Sequence, residues 1–154
     1  MQRAPQPRVH PAIRVVAWLL LVPYAANVVR LTLTPVPPTY YKHRNVVPFR
    51  TIHMYLSGAD GLTKAFHNLG GNVVLLLPLG LFLVVATPLP ARIVPLVVAL
   101  TSVAIEVTQY TIVTGRSADV DDVILNSIGG AIGAGLGTLA TARARVRADW
   151  PREP

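Results

Sequence analysis

The sequence predicts an all-α, polytopic membrane protein: four transmembrane helices, with a long extracytoplasmic loop between the first and the second. Three observations carry that expectation. Hydrophobic residues make up 52% of the 154 positions and charged residues only 14%, where soluble domains run near a quarter charged. Mean hydropathy is +0.49. Four windows, residues 13–33, 69–89, 93–112 and 123–142, approach the roughly 20 apolar residues that cross about 30 Å of hydrocarbon. The length suits one domain, and 6% aromatic residues with 14 prolines argue against a coiled coil. Cysteine is absent, which excludes disulfide scaffolds, thiol catalysis and cysteine-ligated metal.

The first window opens on Arg14 and closes near Arg30, with Val15 to Val29 strongly apolar between them. A cleaved signal peptide would share its basic start. Cleavage after Ala26, however, would put bulky Tyr24 where a small residue is needed, and the apolar pattern runs on to Leu33. A retained helix is the better reading. The three later windows are bounded by charge, Pro or Gly, as helix ends in membranes tend to be.

Four crossings put both termini on one side of the membrane. The net charge of +7 is placed as a topology signal, not as a nucleic-acid surface. Arg3, Arg8 and Arg14 precede the first window, and Arg143, Arg145, Arg147 and Arg152 follow the last. With Arg92, the terminal face holds eight Lys and Arg; Lys42, Arg44, Arg50, Lys64 and Arg116 give the other face five. The positive-inside tendency then predicts cytoplasmic termini in a multi-pass protein of the cell membrane. The expected organisation is a cytoplasmic basic tail at 1–12, a membrane domain at 13–142 and a second cytoplasmic basic tail at 143–154. No nucleic-acid motif or stacking pattern of aromatics appears, so nucleic acid is not an expected partner.

The connection from Thr34 to Asn68 is about 35 residues long, and loops of that length are usually functional or partly ordered. It opens with Thr34-Pro-Val-Pro-Pro38, a stiff extended stretch. Tyr40, Tyr41, Lys42, His43 and Arg44 come next, then Asn45-Val-Val-Pro-Phe49. Thr51 to Leu56 reads as a short interfacial helix, and Ser57-Gly58-Ala-Asp60-Gly61 as a turn.

Polar residues inside apolar windows single out a candidate site. Glu106 lies about thirteen residues into the third window, roughly 20 Å along the helix, and shares a face with Ser102 and Gln109. An intramembrane carboxylate needs a partner or a wet cavity; the plain alternative is a carboxyl hydrogen-bonded to a neighbouring helix. In the fourth window Asp119, Asp122, Asn126, Gly129 and Gly133 form one stripe. Gly129, Gly133 and Gly137 make a ridge that lets another helix approach closely, so the acids continuing it should face into the bundle. Capping by Ser117 or Asp119 and a favourable helix dipole would explain one or two of the acids. Neither explains Asn126 or nearby Arg116, while Asp121 points elsewhere and reads as a simple cap or solvated charge.

In the second window Asn68 and Asn72 lie one turn apart, and Pro78 is expected to kink the helix against the carbonyl of Val74. Asn72 reads equally well as packing glue between helices. Under this topology Asn72, Glu106, Gln109, Arg116, Asp119, Asp122 and Asn126 converge at one end of the bundle, with Asn45, Arg44 and Arg50 above them in the loop.

With those residues in view, the chain resembles the VanZ-like family of integral membrane proteins, named for a teicoplanin-resistance accessory protein. The resemblance rests on Asn45-Val-Val-Pro48-Phe49, Gly71-Asn72 with Pro78-Leu79-Gly80, Glu106-Val-Thr-Gln109, and above all Arg116-Ser-Ala-Asp119-Val-Asp121-Asp122 followed by Asn126 and Gly129-Gly130. It covers about residues 33–137. Leu76 and Ala118 stand where the family often carries larger aromatics. The resemblance implies a membrane protein of the bacterial cell envelope, linked in some members to glycopeptide resistance, and implies no particular reaction.

Three functions follow. The first is a non-enzymatic module that binds a membrane lipid or cell-wall precursor through Asn45, Asn72, Glu106, Gln109, Arg116, Asp119, Asp122 and Asn126. In it Arg44, Arg50 and Arg116 act as phosphate fork donors. The second is an enzyme on an envelope lipid with Glu106, Asp119 and Asp122 as catalytic candidates. These would hold a Mg²⁺-like divalent cation, or Glu106 would act as a general acid or base. His43, His53 and His67 have no ligand spacing and read as solvated loop residues. The third is a structural bundle that binds a partner or a second copy through the ridge of Gly129, Gly133 and Gly137.

Overall fold

Proline at the first turn and a His10 side chain that accepts from the Ala12 N–H at 3.3 Å start α1 (Pro11–Leu33). A proline's missing donor costs nothing there. The computed structural model describes residues 9–37, 44–58 and 61–148, with side chains through Arg143. Arg3, Arg8 and Arg152, the side chains of Arg145 and Arg147, and Pro38, Tyr40, Tyr41, Lys42, His43 and Asp60 lie outside the described residues.

Among the described residues four helices are long and apolar enough to cross a membrane. After α1 come a short strand β1 (Arg44–Asn45) and α2 (Arg50–Leu56), so the short helix expected over Thr51 to Leu56 is present. The second span begins before residue 69. Helix α3 (Leu62–Ala65) leads through a π turn (Phe66–Gly70) into α4 (Gly71–Ala86), together one apolar rod of 25 residues. Helix α4 stays helical through Pro78. The third span is α5 (Val94–Thr111). After β2 (Ala118–Asp119), α6 (Val120–Ala148) supplies the fourth, and it continues past residue 142 into the stretch expected to be tail.

The all-α expectation needs one amendment. Strands β1 and β2 pair in parallel, Arg44 opposite Ala118 and Asn45 opposite Asp119. Two residues suffice because the loop before α2 and the turn before α6 both carry backbone groups with no helical partner, and near hydrocarbon such groups must be satisfied within the protein.

Helix α6 packs against α4 and α5, and α1 lies against α4 and α5. The glycine ridge sets how close α6 comes. A Cβ at Gly129, Gly133 or Gly137 would meet the carbonyls of Val73, Leu77 and Leu81, which repeat every four residues along α4. In return, a Cβ at Gly80 would strike the Gly130 carbonyl. The ridge expected to receive an oligomeric partner is therefore filled within the chain. Small residues favour this because helix association in lipid gains from close backbone contact, not from burying apolar surface away from water. The opposite side of α6 turns Ile128, Ile132, Leu136 and Leu139 outward.

Buried Val28, Leu76, Val94, Val98 and Ala134 form the main core. A smaller cluster of Ala17, Val85 and Ala86 closes the end where α1 starts and α4 finishes. There the Arg14 Nε donates to the Ala86 carbonyl at 3.3 Å. Packing of this kind fills one end of the bundle with aliphatic side chains. Most of the polar cross-links lie at the other.

Candidate functional site

Asp119 stands immediately before α6, and its carboxylate joins three segments. Oδ1 accepts from the Asp121 N–H at 2.8 Å, a helix cap of the expected kind, and from Asn45 Nδ2 at 2.9 Å. Oδ2 accepts from the Thr51 hydroxyl at 2.6 Å. The Asp119 backbone N–H donates to Glu106 Oε2 at 2.8 Å, tying α5 to the start of α6. A turn deeper along α6, Asp122 accepts a hydrogen bond from Asn72 Nδ2 of α4. Glu106 and Asp122 are close enough to feel one another's charge. Asn45, Asn72, Glu106, Asp119 and Asp122 thus come together as the sequence suggested, on α4, α5, α6 and the loop.

Asn126 and Ser102 lie beneath them. Asn126 Nδ2 donates to the Ser102 hydroxyl at 2.9 Å, and both residues are almost fully buried, at 2% and 0% exposed. The Asn126 Oδ1 is buried without a hydrogen-bond partner. Natural proteins leave few buried acceptors bare, because desolvating one costs about 1–3 kcal/mol.

Asp121 corrects the sequence reading. It is neither solvated nor a cap of its own helix: it is 0% exposed. Its carboxylate accepts from the backbone N–H groups of Phe49, Thr51 and Ile52 at 2.5, 2.7 and 3.1 Å. These are the orphan donors at the N-terminus of α2, so a residue of α6 caps α2 from a distance. The clasp also explains Phe49, the one non-glycine residue with positive φ among the described residues, at 65°. Such a backbone costs of order 1–3 kcal/mol and persists only where its surroundings over-determine it; the bond from Phe49 N–H to Asp121 supplies that constraint. Within the sequence, the one available signal was a pair of adjacent acids, which cannot share a helix face.

Two expected site residues do other work. Gln109 Nε2 donates to the Thr32 carbonyl at 2.9 Å. Arg116 donates through Nη2 to Leu31 O at 2.7 Å and through Nε to Thr34 O at 3.4 Å. Both cap the C-terminal end of α1, whose last carbonyls have no helical donor, and a guanidinium there also suits the helix dipole. The same corner is closed by Val36 N–H on the Thr114 carbonyl at 3.2 Å. Gly115 sits beside it at φ +78°, where a Cβ would overlap the Val36 carbonyl. As a phosphate fork, Arg116 is already engaged. Arg44 and Arg50 are exposed on the loop.

Among the described residues no three His, Asp or Glu side chains are grouped so as to hold a metal ion; Asp119 and Asp122 accept from amide and hydroxyl donors, and Glu106 from a backbone N–H. His53 is exposed on α2 and His67 is exposed in the π turn, not in a loop. The His67 ring Nδ1 lies 3.0 Å from the Thr63 carbonyl.

A family model described as VanZ/LLP1 matches residues 12–141. No curated protein and no solved structure matches the chain.

Proposed function

The chain belongs to the VanZ/LLP1 family, and we propose that this member is a non-enzymatic membrane module that binds the headgroup of a lipid or cell-wall precursor in the extracytoplasmic leaflet. One observation carries the reading. At one end of four membrane-length helices Asp122 of α6 meets the Asn72 amide of α4, Asp119 of β2 meets the Asn45 amide of the loop, and Glu106 of α5 meets the Asp119 backbone N–H, and some of their acceptor capacity is left over. Glu106 Oε1 and Asp122 Oδ2 accept nothing from the described residues. Ionisable groups at membrane depth are costly, and they are found where a substrate or ligand uses them.

A binding role also accounts for the loop. Helix α2 is fixed to α6 by Asp121 and to β2 by Asp119, which holds the loop beside the carboxylates and would let a headgroup be gripped between loop and bundle. Covering the headgroup of a precursor would reduce its access to a glycopeptide, and this is how a link to teicoplanin resistance would extend to this chain.

Native mass spectrometry of the detergent-extracted protein tests the proposal. The parent is expected to keep a lipid-sized adduct, and Glu106→Gln and Asp122→Asn to lose most of it. A parent that carries no adduct under conditions that preserve its fold refutes the reading.

A further inference from the structure

We infer that the ligand enters the α5–α6 seam through a primary ammonium group, so that the headgroup bound is an amine rather than a bare phosphate. The inference rests on the binding role just proposed and names its ligand class. Its basis is which hydrogen-bonding valences the protein leaves unfilled. Glu106 uses Oε2 for the Asp119 N–H, and Asp122 uses Oδ1 for the Asn72 amide; both donors are neutral. The remaining oxygen of each is free among the described residues. Asn126 presents the third vacancy: its Nδ2 is fixed on Ser102, and its Oδ1 is buried and bare.

The residues that carry these vacancies are neighbours on α5 and α6. Ser102 precedes Glu106 by four residues on α5, and Asn126 follows Asp122 by four on α6. The Ser102–Asn126 pair therefore lies about 6 Å below the two carboxyls, one helical turn in each case. The oxygens left without a partner are acceptors, and two of the three belong to carboxyl groups. A phosphate, itself an acceptor, would meet the two carboxyl groups there. An ammonium brings three donors and no acceptor, plus a charge opposite to that of the carboxylates. Arg116 brings positive charge near Glu106 but gives these oxygens no hydrogen bond, since its bonds go to the Leu31 and Thr34 carbonyls.

Phosphatidylethanolamine and phosphatidylcholine separate the possibilities, because they share a phosphate and differ in whether the nitrogen carries N–H donors. In native mass spectrometry of the full chain in detergent, phosphatidylethanolamine is expected to be retained about tenfold more strongly, the worth of one charge-assisted hydrogen bond. Glu106→Gln should abolish that preference. Asn126→Leu should abolish it too; because it also removes the bond to Ser102, its melting temperature is read beside its retention, and Glu106→Gln, which keeps an acceptor for the Asp119 N–H, separates loss of the site from loss of the fold. Displacement of the lipid by a lysine-containing peptide, but not by the same peptide acetylated on the lysine, would assign the amine to a peptide source. Failure of both peptides to displace it would assign the amine to the lipid. Equal retention of the two lipids by the parent overturns the ammonium assignment and leaves headgroup binding intact, whereas retention of neither overturns both. A preference that survives Glu106→Gln and Asn126→Leu also overturns the assignment.

Discussion

Substituting Gly133 by alanine tests the packing on which the whole site depends. A Cβ added at Gly133 would overlap the Leu77 carbonyl and press on the Leu81 N–H, both backbone atoms of α4. A flexible side chain could swing aside, but a helix backbone cannot, so α4 and α6 must separate along the seam. Overpacking of this kind costs about 1–3 kcal/mol. Separation should also loosen the Asn72–Asp122 bond, which bridges the same two helices nearer the loop. Gly135 provides a matched control two residues away, because a Cβ there meets nothing within 4 Å. Alanine at Gly135 should therefore be neutral or stabilise by up to about 1 kcal/mol through helix propensity. Thermal unfolding of the two variants in one detergent reads the difference directly: Gly133→Ala should melt several degrees lower and Gly135→Ala should not. Equal melting temperatures would mean that α6 does not press its glycines into α4, and the placement of Asp122 beside Asn72 would lose its support.

Further predictions follow from individual contacts. Asp121→Asn replaces one of two acceptor oxygens by a donor facing backbone N–H groups, so about 2–3 kcal/mol should be lost at the α2 clasp; faster amide exchange at Phe49, Thr51 and Ile52 would report it, and unchanged exchange would refute the clasp. Gln109→Leu removes the buried bond to the Thr32 carbonyl and should cost about 0.6–1.7 kcal/mol, the range found for interhelical hydrogen bonds in membranes, seen as a lower melting temperature. Gly115→Ala combines a left-handed backbone with a clash against Val36, and should destabilise by about 1–3 kcal/mol; a protein that melts like the parent would show that the corner can open. The absence of cysteine gives a clean background for topology. With cytoplasmic termini, Ser57→Cys should react with an impermeant thiol reagent on intact cells and Arg143→Cys should not, and the reverse pattern would move the site to the other leaflet.

Most of the architecture was legible because it depends on length and hydropathy alone. Spans of about 20 apolar residues and the short helix ending at Leu56 are local properties of the chain. So is the stripe of Asp119, Asp122, Asn126 and the glycines, which follows from helical periodicity. The start of the second span was missed by seven residues because a π turn keeps Phe66–Gly70 helical, and no residue pattern distinguishes such a turn from a helix end. The partners of polar side chains were the hardest to read. Arg116 looked like part of an acidic site because it is near Asp119 in sequence. In space its guanidinium is bonded to the end of α1, more than eighty residues earlier in the chain, while its charge still acts on Glu106. Asp121 was misread for a related reason: its partners sit some seventy residues away, in a loop whose fold the sequence does not specify.

Those two misplacements clarify what the remaining polar residues are for. A chain this small has to satisfy the backbone ends of its helices as well as any ligand, and near hydrocarbon it cannot leave that to water. Arg116 and Gln109 satisfy the end of α1, and Asp121 satisfies the start of α2. Asp119 caps α6 and anchors the loop through Asn45 and Thr51. Once these structural demands are met, Glu106, Asp122 and Asn126 still retain unfilled oxygens, although each has already made one bond that fixes its position. Capping cannot explain them, since none serves a helix terminus with its remaining acceptor. At Asn126 the leftover oxygen is buried without a partner, and packing alone does not favour a bare acceptor there, because desolvating one costs about 1–3 kcal/mol. The three oxygens left over are therefore where a ligand's contribution to this fold is to be sought.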